Sequence, residues 1–235
     1  MHIGLIGGIG VAATVAYYQR LTAAMRTRDA RLELTIVQAD VFDLIRTSLA
    51  GLRDEQAVIY AGLIARLKAA GADCAAITSL GGHFCFDETV AVSPLPMVSA
   101  IAPLDGYFAA NGLGRVGLLG TEIVMRTRFF GQLIQTETVA PQGDLVALGQ
   151  HYQDVATSGV CTSAQREIFF AQGRRMFEDQ GAEVIILGGT DLDLAFGGYD
   201  PGYPVIDALD VHVTLLADLA SGAKTLDDLN TGIQP

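Results

Sequence analysis

In α/β proteins, polar residues and glycines that directly follow a buried strand sit where ligands bind. This sequence has two such segments, Thr78-Ser79-Leu80-Gly81-Gly82-His83 and Gly188-Gly189-Thr190-Asp191. His83 suits general acid or base work, because an imidazole titrates near neutrality. It would equally serve to cap the following helix or satisfy a neighbour. Asp191 reads either as an acid at a helix start, held by the helix dipole, or as a proton-handling or ligand-orienting group. A third glycine cluster, Gly7-Gly8-Ile9-Gly10, lacks the G-x-G-x-x-G spacing of a dinucleotide fingerprint. It reads as a tight strand-to-helix turn whose N–H groups suit a carboxylate.

The thiols offer less. Cys74 falls inside a strand pattern and reads as a small core residue. Cys85, two residues beyond His83, is either a polarised thiol at a helix start or core packing. Cys161 falls in a loop pattern with no evident partner, and no Cys/His cluster has metal-ligand spacing, so no metal is expected.

The elements that must position these residues alternate. Apolar runs at His2–Ile6, Leu32–Gln38, Cys74–Thr78 and Met97–Ser99 read as strands, with helical patterns from Val11 to Arg26 and from Asp54 to Ala70. The pattern then restarts. Strands are expected at Arg115–Leu119, Thr138–Val139, Val184–Leu187 and around Val205-Ile206. Helices are expected from Val124 to Gln135, Thr162 to Gln180 (Ser163 as cap, Gly181 as stop) and Ala208 to Leu219. Gly4-Leu5-Ile6-Gly7-Gly8 echoes Gly117-Leu118-Leu119-Gly120-Thr121, and Gly71-Ala72-Asp73 echoes Gly181-Ala182-Glu183, which reads as an internal duplication. The expected fold is therefore α/β: two pseudo-symmetric halves, each a mainly parallel sheet flanked by helices, with the site between them. The expected division is residues 1–104 plus 211–235 against residues 105–210.

Composition narrows the function. Of the 235 residues 50% are hydrophobic and 17% charged, enough apolar material for a core. A formal net charge of −11 leaves no basic footprint for nucleic acid. No run is long and apolar enough for a membrane span or a signal peptide, and three cysteines without a pairing pattern suit a reducing compartment. A cytoplasmic protein with no membrane or nucleic-acid partner is expected.

The segments GLIGG before ATVAYYQRL, GADCAAITSLGGHFCFDE, VGLLGT, GAEVIILGGTDL and PVIDALDVH stand in one order from Met1 to about His212. Together they resemble the aspartate/glutamate racemase family. The resemblance implies an enzyme that needs neither pyridoxal phosphate nor metal, acts at the carbon α to a carboxylate, and often forms a homodimer. It implies two cysteine thiols facing the α-carbon, one removing the proton and the other delivering one. The first thiol position falls on Ser79, with His83 matching the motif's histidine; the second falls on Gly189, followed by Thr190 and Asp191. Both thiols are thus absent. A serine hydroxyl is a far weaker carbon base than a thiol of pKa roughly 8.5, and glycine offers no side chain.

The family's lysine ahead of the second-half helix also has no counterpart in Ala156-Thr157-Ser158-Gly159, leaving Arg46 and Arg53 as candidate carboxylate clamps or solvated helix charges. The resemblance thus points to a cofactor-independent racemase or epimerase acting on a small acidic or amino-acid-derived substrate. Catalysis would fall to Ser79, His83, Thr190 and Asp191. Binding would fall to Gly7, Gly8, Thr14, Arg46, Thr78, Gly81, Thr121 and Gly189. The alternatives are a relative with altered chemistry (isomerase, decarboxylase or lyase) and a non-catalytic carboxylate-binding protein.

Overall fold

The computed structural model describes residues 1–8 and 10–230. Strand β1 (His2–Gly7) is apolar and buried nearly throughout, as a strand covered on both faces must be. It feeds α1 (Val11–Thr27), which buries Ala13, Ala16, Tyr17, Leu21 and Met25 at helical spacing. Then follow β2 (Glu33–Gln38), α2 (Val41–Leu49), α3 (Arg53–Ala69) and β3 (Cys74–Ile77). A 3₁₀ turn over Gly81–Cys85 leads into α4 (Phe86–Val92), β4 (Met97–Val98) and α5 (Ala102–Ala110). The second half runs β5 (Arg115–Gly120), α6 (Glu122–Thr127), β6 (Glu137–Val139), α7 (Leu145–Ser158), α8 (Ser163–Glu178), β7 (Val184–Gly188), α9 (Asp193–Phe196) and β8 (Val205–Asp207). Helices α10 (Ala208–Ser221) and α11 (Asp227–Asn230) close the described chain.

The strands form two parallel four-stranded sheets, ordered β2-β1-β3-β4 and β6-β5-β7-β8. The identical order is what the echoed glycine segments predict. In each sheet the two central strands end in the glycine-rich segments: Ile6 pairs with Ile77, and Gly120 with Gly188. Helix α10 leaves the second sheet and packs beside α1 and β1, where Leu209, Val213, Leu216 and Leu219 join Leu5, Tyr17 and Leu21 in one core. The loop after β3 reaches the other way, and Leu80 packs with Val124, Phe129 and Ile186 of the second half.

The helix expected from Val124 to Gln135 ends at Thr127. Arg128, Phe129 and Phe130 all take positive φ, near +51°, +55° and +59°, a conformation side chains with a Cβ rarely adopt. The reversal drives the Phe129 ring into full burial against Gly188, whose hydrogen leaves room that a Cβ would lose by lying 2.8 Å from Phe129 Cζ. Core packing here overrides helix propensity. The cap of α8 is Thr162, one residue before the expected Ser163, and it forms a reciprocal capping box with Gln165.

Candidate active site

A cavity of about 320 Å³ lies between the halves, at the carboxyl ends of the strands. The first half supplies Leu44 and Ser48 from α2, Gln56 and Tyr60 from α3, and Ser79, Gly81 and Gly82 after β3. The second supplies Thr121, Glu122 and Ile123 around the start of α6, Gly149 and Tyr152 from α7, and Asp191 after β7. The halves nearly touch here: a Cβ on Gly81 would lie 3.6 Å from Thr121 Cγ2.

Ser79 stands half-buried in this wall, and the Gly82 N–H points at its Oγ from 3.4 Å. The hydroxyl proton therefore remains to be donated elsewhere. Close packing holds the loop in shape. A Cβ on Gly82 would lie 2.6 Å from the Tyr60 hydroxyl, which itself accepts from Gln56 Nε2 at 2.9 Å. Thr47 Oγ1 in turn donates to Gln56 Oε1 at 2.5 Å, so α2, α3 and the Ser79 loop form one braced wall.

Asp191 is the buried acid of the cavity. Its carboxylate accepts from the Tyr152 hydroxyl at 3.1 Å and from the Ala13 N–H, at the start of α1, at 3.2 Å. It lies where a Cβ on Gly10 would overlap it. Burial pushes its pKa up from the ordinary aspartate value, against the lowering pull of those donors. The Tyr152 phenol is pushed up as well, first by burial and then by the Asp191 charge.

Gly189, the second expected thiol position, is buried beneath Tyr152 and does not line the cavity. A Cβ there would overlap Tyr152 Cε2 and lie 2.8 Å from Cζ. The volume of a second thiol is thus taken by a phenol. Thr190 is also buried and does not line the cavity.

His83 lies behind the wall, 1% exposed and stacked on Phe86. Its Nε2 accepts from the Ala100 N–H at 3.0 Å, which leaves the proton on Nδ1 to donate to the Ser79 carbonyl at 2.9 Å. Burial lowers its pKa to about 4, so the ring is neutral. With both nitrogens committed to backbone, it positions the Ser79 loop and does not face the cavity.

Arg46 lies outside the cavity, half-exposed and bonded to Glu55 at 2.6 Å, and Arg53 pairs with Glu88. Neither is a carboxylate clamp in this geometry, because each guanidinium is already held by a carboxylate. Thr14 and Thr78 bond to each other at 3.1 Å, and Thr78 also donates to the Ile6 carbonyl, so both lock the strand ends. The Gly7 hydrogen sits against Gln38 and Thr14, whereas Gly8 approaches the Ser79 Cβ and Leu44. The structure thus brings Ser79, Gly81, Thr121 and Asp191 to one cavity, with Gly8 beside it.

Tyr152, Gln56 and Tyr60 were not foreseen. For Tyr152 the signal was present: Asp144 caps α7 by accepting from Val146 and Ala147, Leu148, Tyr152, Val155 and Ala156 follow at helical spacing, and Gly159 ends the helix with φ +68°. Among the described residues no group of His, Cys, Asp and Glu comes together to hold a metal ion, and no helix is long and apolar enough to cross a membrane.

The profile of the family described as Asp/Glu/Hydantoin racemase matches residues 6–216. The fold is similar to that of a candidate Asp/Glu racemase from Yersinia pestis (23% identity, TM-score 0.77, covering 94% of this chain and 99% of that one). It is similar to an aspartate racemase homologue from Pyrococcus horikoshii OT3, at 25% identity, TM-score 0.76 and the same coverages. It also resembles the aspartate racemase of Picrophilus torridus, at 20% identity and TM-score 0.72, covering 98% of each chain.

Proposed function

Because this chain belongs to the Asp/Glu/Hydantoin racemase family, we propose that it is a racemase- or epimerase-type isomerase that removes and returns the proton on the carbon next to a carboxyl-derived group of a small amino-acid-derived substrate. The supporting observation is the cavity itself, with Ser79 on the wall of one half and the bonded pair Tyr152–Asp191 on the other.

In this reading Asp191 is the ultimate base and Tyr152 the relay. The phenol oxygen takes the α-proton as its own proton passes to Asp191, so no free phenolate forms in a site that holds the phenol pKa high, and the substrate becomes an enolate. After the planar enolate turns its other face to Tyr152, the relay runs backward: the phenol returns a proton to carbon with inverted configuration, and the proton on Asp191 restores the phenol and frees the carboxylate. The raised pKa of Asp191 suits it to holding that proton. Ser79 donates its free O–H to the enolate oxygen, where charge develops. His83, bonded to the Ser79 carbonyl, keeps that donor in place. The reading carries no pyridoxal phosphate and no metal, and places the protein in the cytoplasm as a homodimer.

The test is α-deuteration of amino-acid derivatives in heavy water, followed by proton NMR. Exchange is expected, with Tyr152→Phe abolishing it and Ser79→Ala slowing it about 10²–10³-fold, the usual cost of one oxyanion donor. Exchange that survives unchanged in both variants would overturn the assignment. The loss of both thiols favours a second reading, a carboxylate-binding protein without turnover, which predicts binding with no exchange across the same panel.

A further inference from the structure

We infer that the cavity selects an ammonium-bearing substrate whose carboxyl group is masked as an amide or ester, and discriminates against dicarboxylates. The inference rests on the reading above for its chemistry, but on charge and volume for its selectivity.

Among the described residues lining the cavity there is no lysine, arginine or histidine, and the two ionisable acids there are Asp191 and Glu122. Glu122, partly exposed at the mouth, is paired with Arg126 outside the lining, so Asp191 is the acid of the wall that no cation neutralises among the described residues. A substrate with two carboxylates would face the Asp191 carboxylate with no free cation to meet it, and like charges in a confined site repel. The Ala13 N–H at the start of α1 is not available to a substrate anion either, because Asp191 already accepts from it. The remaining polar side chains of the lining are neutral hydroxyls and amides, among them Ser48, Ser79, Thr121, Gln56, Gln150 and Gln153. Leu44, Ile45 and Ile123 give the cavity an apolar side suited to an aliphatic side chain.

The replaced bases point the same way. Removing a proton beside a free carboxylate builds a second negative charge on the substrate, whereas beside an amide or ester it builds the first. The latter proton is the more acidic, and a site without thiols can remove it with a carboxylate relayed through a phenol. An ammonium on the same carbon would meet the Asp191 carboxylate.

The experiment measures binding and exchange separately, by ligand-observed NMR in heavy water with leucinamide, N-acetyl-leucinamide and glutamate. Leucinamide should bind about ten-fold or more tightly than glutamate, with N-acetyl-leucinamide between them, and added salt should narrow the gap as it screens charge. Glu122→Gln, at the half-exposed mouth where folding is least at risk, leaves Arg126 an unpaired cation there and should weaken leucinamide while leaving the neutral N-acetyl-leucinamide unchanged. Leucinamide binding with α-exchange supports both the selectivity and the reaction. Preferred leucinamide binding without exchange supports the selectivity and removes the reaction. Glutamate binding as tightly as leucinamide overturns the selectivity, and α-exchange of that glutamate would leave the reaction standing alone. No binding of any of the three also overturns it.

Discussion

Tyr152 occupies the volume that any side chain at position 189 would need, and it does so with its hydroxyl tied to Asp191. The two positions are therefore coupled. Gly189→Cys alone should destabilise the protein by about 1–3 kcal/mol, the usual range for overpacked cores, since the new side chain would overlap the Tyr152 ring. Gly189→Cys with Tyr152→Ala should recover much of that loss, and a double-mutant cycle by urea denaturation measures it. Additive losses would show that the ring is not the obstacle. At this scale the sequence was partly legible. Ser79, Gly81, Thr121 and Asp191 are recognisable because glycine and polar residues after a buried strand have few other uses. That His83 turns its ring to the backbone was not legible, because a histidine serving a loop and one serving a substrate have the same local sequence.

At the scale of elements, α7 carries the argument, since it brings Tyr152, Gly149 and Gln153 to the cavity. Its start depends on Asp144, whose side chain accepts from two N–H groups. Asp144→Ala should cost about 1 kcal/mol of stability, read as a lower urea midpoint. Losing the cap loosens the helix that aims Tyr152, so exchange should slow more than substrate binding weakens. Equal loss of both would indicate general unfolding instead. The strands and the helices α1, α3, α8 and α10 were readable from apolar runs and glycine stops, whereas α7 was not, despite its Asp144 cap and Gly159 stop. The early end of α6 was not, because the left-handed backbone at Arg128–Phe130 is imposed by the burial of Phe129 beneath a strand that follows it by more than fifty residues. The short helices α2 and α5 were missed as well. Much of α2 is exposed, Phe42 and Leu49 strongly so, which blurs an amphipathic pattern.

For the whole molecule, acid is the sensitive side. His83 and His212 are buried and neutral, with pKa values lowered to about 4 and about 3. Between these values and the ordinary 6.5 the unfolded chain binds the more protons, so stability must fall as pH falls through that window. Asp207, raised to about 6 by burial, opposes this: there the folded chain binds the more protons below pH 6, so its contribution falls as pH rises. The histidine part can be isolated. Between pH 7 and pH 5, His83→Gln should lose about 2 kcal/mol less stability than the parent, from a window of about 1.5 pKa units at 1.36 kcal/mol each. Equal losses in thermal melts of the two proteins would show that His83 is not the group responsible.

The return of α10 to the first sheet has a consequence for how the chain emerges during synthesis. The strands of the second sheet all lie within residues 115–207, whereas the core around β1 and α1 is closed by Leu209, Val213, Leu216 and Leu219. A nascent chain stalled before residue 208 therefore holds every strand of the second sheet but leaves the outer layer of the first uncovered. Because Ala208 and Val211 of the same helix also pack with Val116, Leu118 and Ile186 of the second sheet, neither half is fully covered until α10 emerges, and the two become resistant to protease together. Limited digestion of ribosome-bound chains ending on either side of α10, each extended by a linker long enough to clear the exit tunnel, should show both halves gaining protection with α10, and early protection of one half alone would refute it.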